Sequence, residues 1–346
     1  MHMADALVSP AVGGSLWAAA AAMIACSSMK VRRNLDERKV PLMGVLGAFI
    51  FAAQMINFTV PATGSSGHLG GGLLLAILLG PSAAFLTIAS VLMVQALFFS
   101  DGGLLALGCN IINLGFFPVF IAFPLIYRRL VGHSPSQSRL VFASIVAAIT
   151  GLQLGSLGVV LQTVASGISS LPFTTFLLLM QPIHLAIGVI EGIVTALIVW
   201  CVYHARPDVL DSALQDQPIG NFPVRSMVIT FLAAAMLIGG SLSWYASTAP
   251  DGLEWSISRI TGKENLPDQD DQTHERLATF QARTALLADY SLPEKSMNTD
   301  RDLPGKESLE TSLAGIVGSA VTLAVCLVAG LLLRKRSMSQ EFSAQR

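Results

Sequence analysis

Two histidines and a chain terminus carry the most chemistry in this sequence. It begins Met1-His2-Met3-Ala4-Asp5. A free α-amine, the amide nitrogen of residue 2 and the His2 imidazole can close two fused chelate rings on one metal ion. Met1 is expected to be kept, because methionine removal generally requires a small second residue. A fourth donor is available in the segment 57–68, where His68 is flanked by Gly67, Gly70, Gly71 and Gly72, residues that let backbone bend and approach closely. Four nitrogens in a plane suit Ni(II) or Cu(II) better than tetrahedral Zn(II). The donors must lose protons, the amide above all, so binding is expected to fail at low pH. Asp5, Asn57 and Ser66 are candidates to orient the two imidazoles by hydrogen bonds, as metal-bound histidines need; Asp5 could alternatively cap the first helix.

These residues must be held by membrane helices. Hydrophobic residues make up 53% of the chain and charged ones only 12%, against roughly 25% charged in soluble domains, and mean hydropathy is +0.63. A net charge of -1 gives no basis for nucleic-acid binding. The four cysteines (Cys26, Cys109, Cys201, Cys326) sit singly in apolar stretches without metal or redox spacing and read as small hydrophobes. The first basic residue, Lys30, follows the first apolar run, so the start does not read as a signal peptide.

Crossing ~30 Å of hydrocarbon takes about 20 apolar residues. Such runs lie near 11–27, 40–58, 104–126, 139–166, 175–203, 225–246 and 313–333. The stretch 69–99 is too long for one straight span, and Gly80-Pro81-Ser82 divides it into helices near 69–79 and 82–98. Charge favours two crossings there. Fourteen of the 21 Lys and Arg flank the other spans, at 28–39, 127–139, 204–225 and 334–346, and two crossings put all of them on the cytoplasmic side. The N-terminus, the loop 59–68 and the segment 247–312 then face outward, and the C-terminus faces the cytoplasm. The expected fold is an all-α polytopic membrane protein: a seven-helix bundle over 1–205, a cytoplasmic linker over 206–224, and a two-helix domain over 225–346. Its external loop 247–312 holds 13 of the 22 carboxylates against seven cations, a bias that either draws cations in or simply keeps the loop solvated.

Other residues have weaker claims. Glu191 is a carboxylate deep in a predicted helix, on the same face as His184 seven residues earlier. Such a charge costs about 2.5–3.5 kcal/mol on insertion scales and normally faces a cavity or partner. Both are candidates to support the site from behind rather than ligands. Ala18 with Ala22, and Ala21 with Ala25, make small-xxx-small faces that suit close helix packing in lipid. His133, His204 and His274 lie in polar segments and read as solvated. There is no G-x-x-x-x-G-K-[ST] phosphate loop, so the chain is not expected to hydrolyse ATP by the usual route, and no H-E-x-x-H metalloprotease helix.

The runs Met1-His2-Met3-Ala4-Asp5-Ala6, Gln54-Met55-Ile56-Asn57-Phe58, Ser66-Gly67-His68-Leu69 and His184–Gly192 resemble the CbiM/NikM family. These are the nickel/cobalt-binding S components of energy-coupling factor (ECF) transporters, and the resemblance covers about residues 1–203. The family usually has glycine where Ala6 stands. The resemblance implies a metal held by the terminal amine of Met1, the amide and imidazole of His2, and His68. Pro250-Asp251-Gly252-Leu253-Glu254 matches the signature of the PDGLE domain, an N-type auxiliary, which favours nickel slightly over cobalt uptake for cobalamin biosynthesis. The expected partners are a transmembrane coupling (T) subunit, met through the alanine face of the first helix, and cytoplasmic ATPases in a prokaryotic cell membrane. A stand-alone secondary carrier is the alternative class; it would work without ATPases but needs polar residues through several helices. A membrane enzyme with a structural metal would need a base beside the metal, and none stands out.

Overall fold

The computed structural model describes residues 2–34, 38–132, 135–215, 224–264, 266–267, 271–292 and 306–333. Met1 and His133 lie outside the described residues. The fold is an all-α membrane protein. Helix α1 (Pro10–Asn34) starts on proline, whose fixed φ and missing N–H suit a first turn, and ends with Arg32 and Arg33, where the helix dipole favours cations. It runs past 27 because nothing before Asn34 breaks a helix. Most of α1 faces outward, and Ala18, Ala21, Ala22 and Ala25 are all exposed.

Helix α2 (Lys39–Gln54) is buried along nearly its whole length. A short hairpin follows, β1 (Phe58–Val60) antiparallel to β2 (Ser65–Gly67). Helix α3 covers only Gly72–Leu79, and all eight of its residues are buried. At 1.5 Å per residue it is about 12 Å long, too short to cross a bilayer alone. Non-helical backbone leading into it is tolerated at depth because protein surrounds it. Gly80, at φ +81, turns the chain and Pro81 opens α4 (Pro81–Phe99); a side chain at that φ would be strained.

Helix α5 (Leu107–Val131) is wound with wide π-type turns over Ile112–Tyr127, around Pro118 and Pro124. Each proline removes an amide donor and crowds the preceding turn, and the wider winding accommodates both. Helices α6 (Gln137–Ser166) and α7 (Phe173–Ala205) pack along their length, with Gly188 and Gly192 lying directly against the α6 backbone at Ile149 and Ile145. The short α8 (Pro207–Gln215) follows.

In the C-terminal part, α9 (Arg225–Gly240) and α12 (Lys306–Leu333) pack on α2 and on each other. Gly239 and Gly315 meet backbone to backbone, leaving no room for a side chain at either position. Such small-residue crossings are how helices associate tightly in lipid. Between them the segment expected as a loop folds into α10 (Gly252–Thr261) and α11 (Gln272–Thr284), capped by the side chains of Asp251 and Asp271. The four cysteines are unpaired: Cys109 and Cys326 are buried, Cys26 and Cys201 exposed.

Candidate metal centre

The chain ahead of α1 enters the bundle as a strap with one 3₁₀ turn at Asp5–Leu7. Met3 is fully buried; its N–H donates to Asn110 Oδ1 at 2.8 Å, and its carbonyl accepts from Gly103 N at 2.9 Å. A Cβ on Gly103 would collide with Asp5, so only glycine lets the strap lie this close. The Asp5 carboxylate accepts from Ala106 N at 2.9 Å and makes no hydrogen bond to either site histidine. The strap delivers His2 against His68: their rings stack with centroids 5.0 Å apart and planes within 6°.

His68 follows β2 directly. Its Nδ1–H donates to Leu69 O at 3.1 Å, which leaves the lone pair on Nε2, the metal-binding form. Burial pushes this imidazole down to about 3, so it stays neutral at ordinary pH. The glycines after it are pinned from two sides. Glu191 accepts from Gly70 N at 2.8 Å and Gly71 N at 3.0 Å, and Gln54 donates to Gly70 O at 2.9 Å. Glu191 thus serves the backbone that sets His68. His184 is 1% exposed; its Nδ1 donates to Met180 O at 2.8 Å, and its Nε2 has no hydrogen-bond partner. It lines a small cavity under the hairpin, shared with Gly67, His68, Gly70, Ile187 and Gly252.

Sequence reading missed Asp101. Its Oδ1 lies 3.1 Å from His2 Nδ1, so a carboxylate pairs with the imidazole at the end of the strap. Burial alone would raise this carboxyl; the His2 imidazole and the hydrogen bonds from His2 and Tyr290 hold it well below the usual carboxylate range. Nothing in the turn Ser100-Asp101-Gly102-Gly103 hints at a partner at residue 2.

The C-terminal part covers the same site. Its signature residues form a capping box: Asp251 Oδ1 accepts from Leu253 N and Glu254 N, and Asp251 N donates to Glu254 Oε2. The residues before the cap bridge onto β2, with Ser66 N donating to Pro250 O at 2.8 Å and Ser66 Oγ to Ala249 O at 2.7 Å. Ser66 therefore bonds the second domain and not an imidazole. Asn57 is drawn the same way, its carbonyl accepting from Ser247 N at 2.7 Å. A side chain on Gly252 would meet Ile183 at 2.6 Å and His184 at 3.1 Å. Gly252→Leu should therefore lift this segment off the hairpin. Faster proteolysis within 247–264 would register the change, and an unaltered digestion rate would refute it.

His274 was expected to be solvated, but it is 4% exposed. Its Nδ1 faces the Asp271 carboxylate, and its Nε2 faces the strap carbonyls of Asp5 at 3.1 Å and Val8 at 3.0 Å. With acceptors on both sides the ring is favoured as the cation. Burial lowers its pKa, but Asp271 and the two carbonyls raise it more, and the net shift is upward. A raised folded value means that this stabilisation is complete below the unfolded value, about 6.5, and fades as pH rises through the folded one. The gap in thermal midpoint between wild type and His274→Gln should narrow from pH 6 to pH 8; a gap that ignores pH would disprove the coupling.

The site opens into a cavity of about 1280 Å³ between the two parts of the chain, lined by His2, His68 and the carboxylates Asp5, Asp101, Asp251 and Glu254 among others. No Lys or Arg lines it among the described residues. Among them, too, no three His, Cys, Asp or Glu side chains gather at one point. A metal held here needs donors beyond those side chains.

The family model described as "cobalt uptake substrate-specific transmembrane region", CbiM, matches residues 2–209, and that of the PDGLE domain matches residues 225–335. A protein of Archaeoglobus fulgidus, provisionally named a fused nickel transport protein, NikMN, is 29% identical over 94% of this chain and 96% of its own length. The cobalt transport protein CbiM of Sorangium cellulosum is 30% identical over 61% of this chain and 95% of its own. A crystal structure of a truncated transition metal transporter superposes with a TM-score of 0.53 at 28% identity, covering 59% of this chain and 99% of that one. The resemblance read from the sequence is borne out: this chain belongs to the CbiM family of nickel/cobalt-type metal transport membrane proteins, with a PDGLE domain joined to it in the same chain.

Proposed function

We propose that the chain is the substrate-binding membrane component of an ATP-driven ECF importer of Ni²⁺ or Co²⁺. The ion is the cargo, captured on the outer face by the terminal amine of Met1, the amide and imidazole of His2, and His68. The observation that carries this reading is the juxtaposition of two imidazoles from opposite ends of the site, stacked at 5.0 Å in an acidic cavity. Neutral imidazole and a planar set of nitrogens favour nickel chemistry, and the fused relative is named for nickel transport; cobalt is the alternative cargo. The exposed alanine face of α1 supports docking on a T subunit, through which cytoplasmic ATPases reorient the bundle and release the ion. The N-terminus lies outside the cell and the C-terminus inside.

The test is Ni(II) and Co(II) titration of purified protein with its native terminus, beside a version carrying two added N-terminal residues. Extension converts the amine to an amide and dismantles the fused chelate rings. One ion bound by the native form and none by the extended form is the expected result. Equal binding by both would remove the terminus from the site. Uptake in a host without ATPase partners would point instead to a stand-alone carrier.

A further inference from the structure

The second domain reaches the carboxylate beside His2 through Tyr290. The Tyr290 hydroxyl donates to Asp101 Oδ2 at 2.5 Å, and the other oxygen of the same carboxylate faces His2. We infer that Tyr290 is a positioning residue for metal capture, fixing Asp101 so that the carboxylate can orient the His2 imidazole; this rests on the reading of His2 as a ligand.

Several features single out this contact. Asp289 and Tyr290 both adopt left-handed backbone, at φ 50 and 59. Two such residues in succession, one of them bulky, are strained and persist only where the surroundings enforce them. The enforcing contacts are visible. Leu286 N and Leu287 N both donate to Phe98 O, at 3.0 and 3.1 Å. The Tyr290 ring stacks on Phe99 at 5.1 Å and leans on Phe51 at 6.3 Å. Gln281 Nε2 donates to the carbonyls of Ala96 and Gly102, on either side of the turn that carries Asp101. The turn is thus held at its backbone by Gln281 and at its carboxylate by Tyr290.

A carboxylate with one oxygen fixed can no longer swing about its own axis, so its second oxygen stays beside His2. In this setting the carboxylate holds the ring through Nδ1; when Nδ1, the nitrogen that closes the second chelate ring, turns to the metal, the same carboxylate is left to receive the N–H on Nε2. Packing alone would account for the ring of Tyr290 but not for where its hydroxyl is aimed.

The ring and the hydroxyl are separated by Tyr290→Phe, which keeps the stack on Phe99. Ni(II) affinity is measured on full-length, native-terminus protein in four forms: wild type, Tyr290→Phe, Asp101→Asn, and the double variant. Tyr290→Phe should weaken binding about 10-fold in the wild-type background, the scale of an outer-partner loss. In the Asp101→Asn background it should change binding by less than about twofold, because the group it acts through is already altered. Equal losses in both backgrounds would show that Tyr290 acts by packing, and no loss in either would show that it does not act; both results overturn the inference. Wild type that binds no nickel at its native terminus defeats this inference together with the proposed site, whereas normal wild-type binding with an uncoupled cycle defeats this inference alone.

Discussion

Replacing His68 by alanine should weaken Ni(II) binding by on the order of 100-fold or more, the largest effect expected of a side-chain change. Loss of an outer partner of a metal ligand costs roughly 10–100-fold, and loss of a donor must exceed the lower part of that range. The amine, amide and imidazole at the terminus would remain, with water completing the plane, so weak binding should persist. The fold should survive, because the hairpin does not depend on the imidazole. Its register pairs Phe58 with Gly67, Thr59 with Ser66 and Val60 with Ser65 through backbone groups, and its outer edge is held by Pro250. Calorimetric titration gives the affinity, and the thermal midpoint in detergent reports on the fold. An affinity within about threefold of wild type would place the fourth donor elsewhere.

Glu191→Ala should cost about 3 kcal/mol of stability and carry most of the nickel binding away with it. The carboxylate is 3% exposed and accepts two backbone N–H groups, Gly70 and Gly71. Removing it strands both donors in the interior, at about 1–3 kcal/mol apiece. Gly71 sits at φ +77, so this turn has little intrinsic preference to hold it once the acceptor is gone. Because the turn begins two residues after His68, its loosening frees the imidazole as well. Glu191→Gln keeps one acceptor oxygen and should lose less of both. A Glu191→Ala protein with unchanged midpoint and unchanged affinity would mean that the glycine turn is held without it.

Features carried by local chemistry were legible in the sequence, and features carried by long-range pairing were not. Gly80-Pro81 announces its break because φ +81 suits glycine and proline suits a first helical turn. The glycines around His68 announce a bend in the same way. Asp101 sits in an ordinary turn, and what gives it a role is Tyr290, 189 residues later. The left-handed φ of Tyr290 has no counterpart in its residue type. Asp5 and Ser66 were sound choices as polar residues beside the histidines, but each meets a backbone group first, at Ala106 and Ala249. The acidic, polar composition of 247–312 reads as a loop because its helical period is short: Leu253 and Ile257, one turn apart, are buried under α10, but charged and polar residues crowd around them. Caps and hydrogen bonds to the bundle, such as Gln281 to Ala96, do the rest of the fastening and have no sequence period.

The second domain holds the strap through His274, the Asp101 turn through Gln281 and Tyr290, and the hairpin through Pro250. Thermodynamic reciprocity follows: if these grips favour the arrangement that binds an ion, a bound ion must tighten the grips by the same free energy. Fusion changes the arithmetic of that exchange. A separate auxiliary subunit that let go would be diluted into the membrane, whereas a tethered one stays at an effective concentration in the millimolar range. A tethered second domain that loosens these grips can therefore re-form them without having to find its partner.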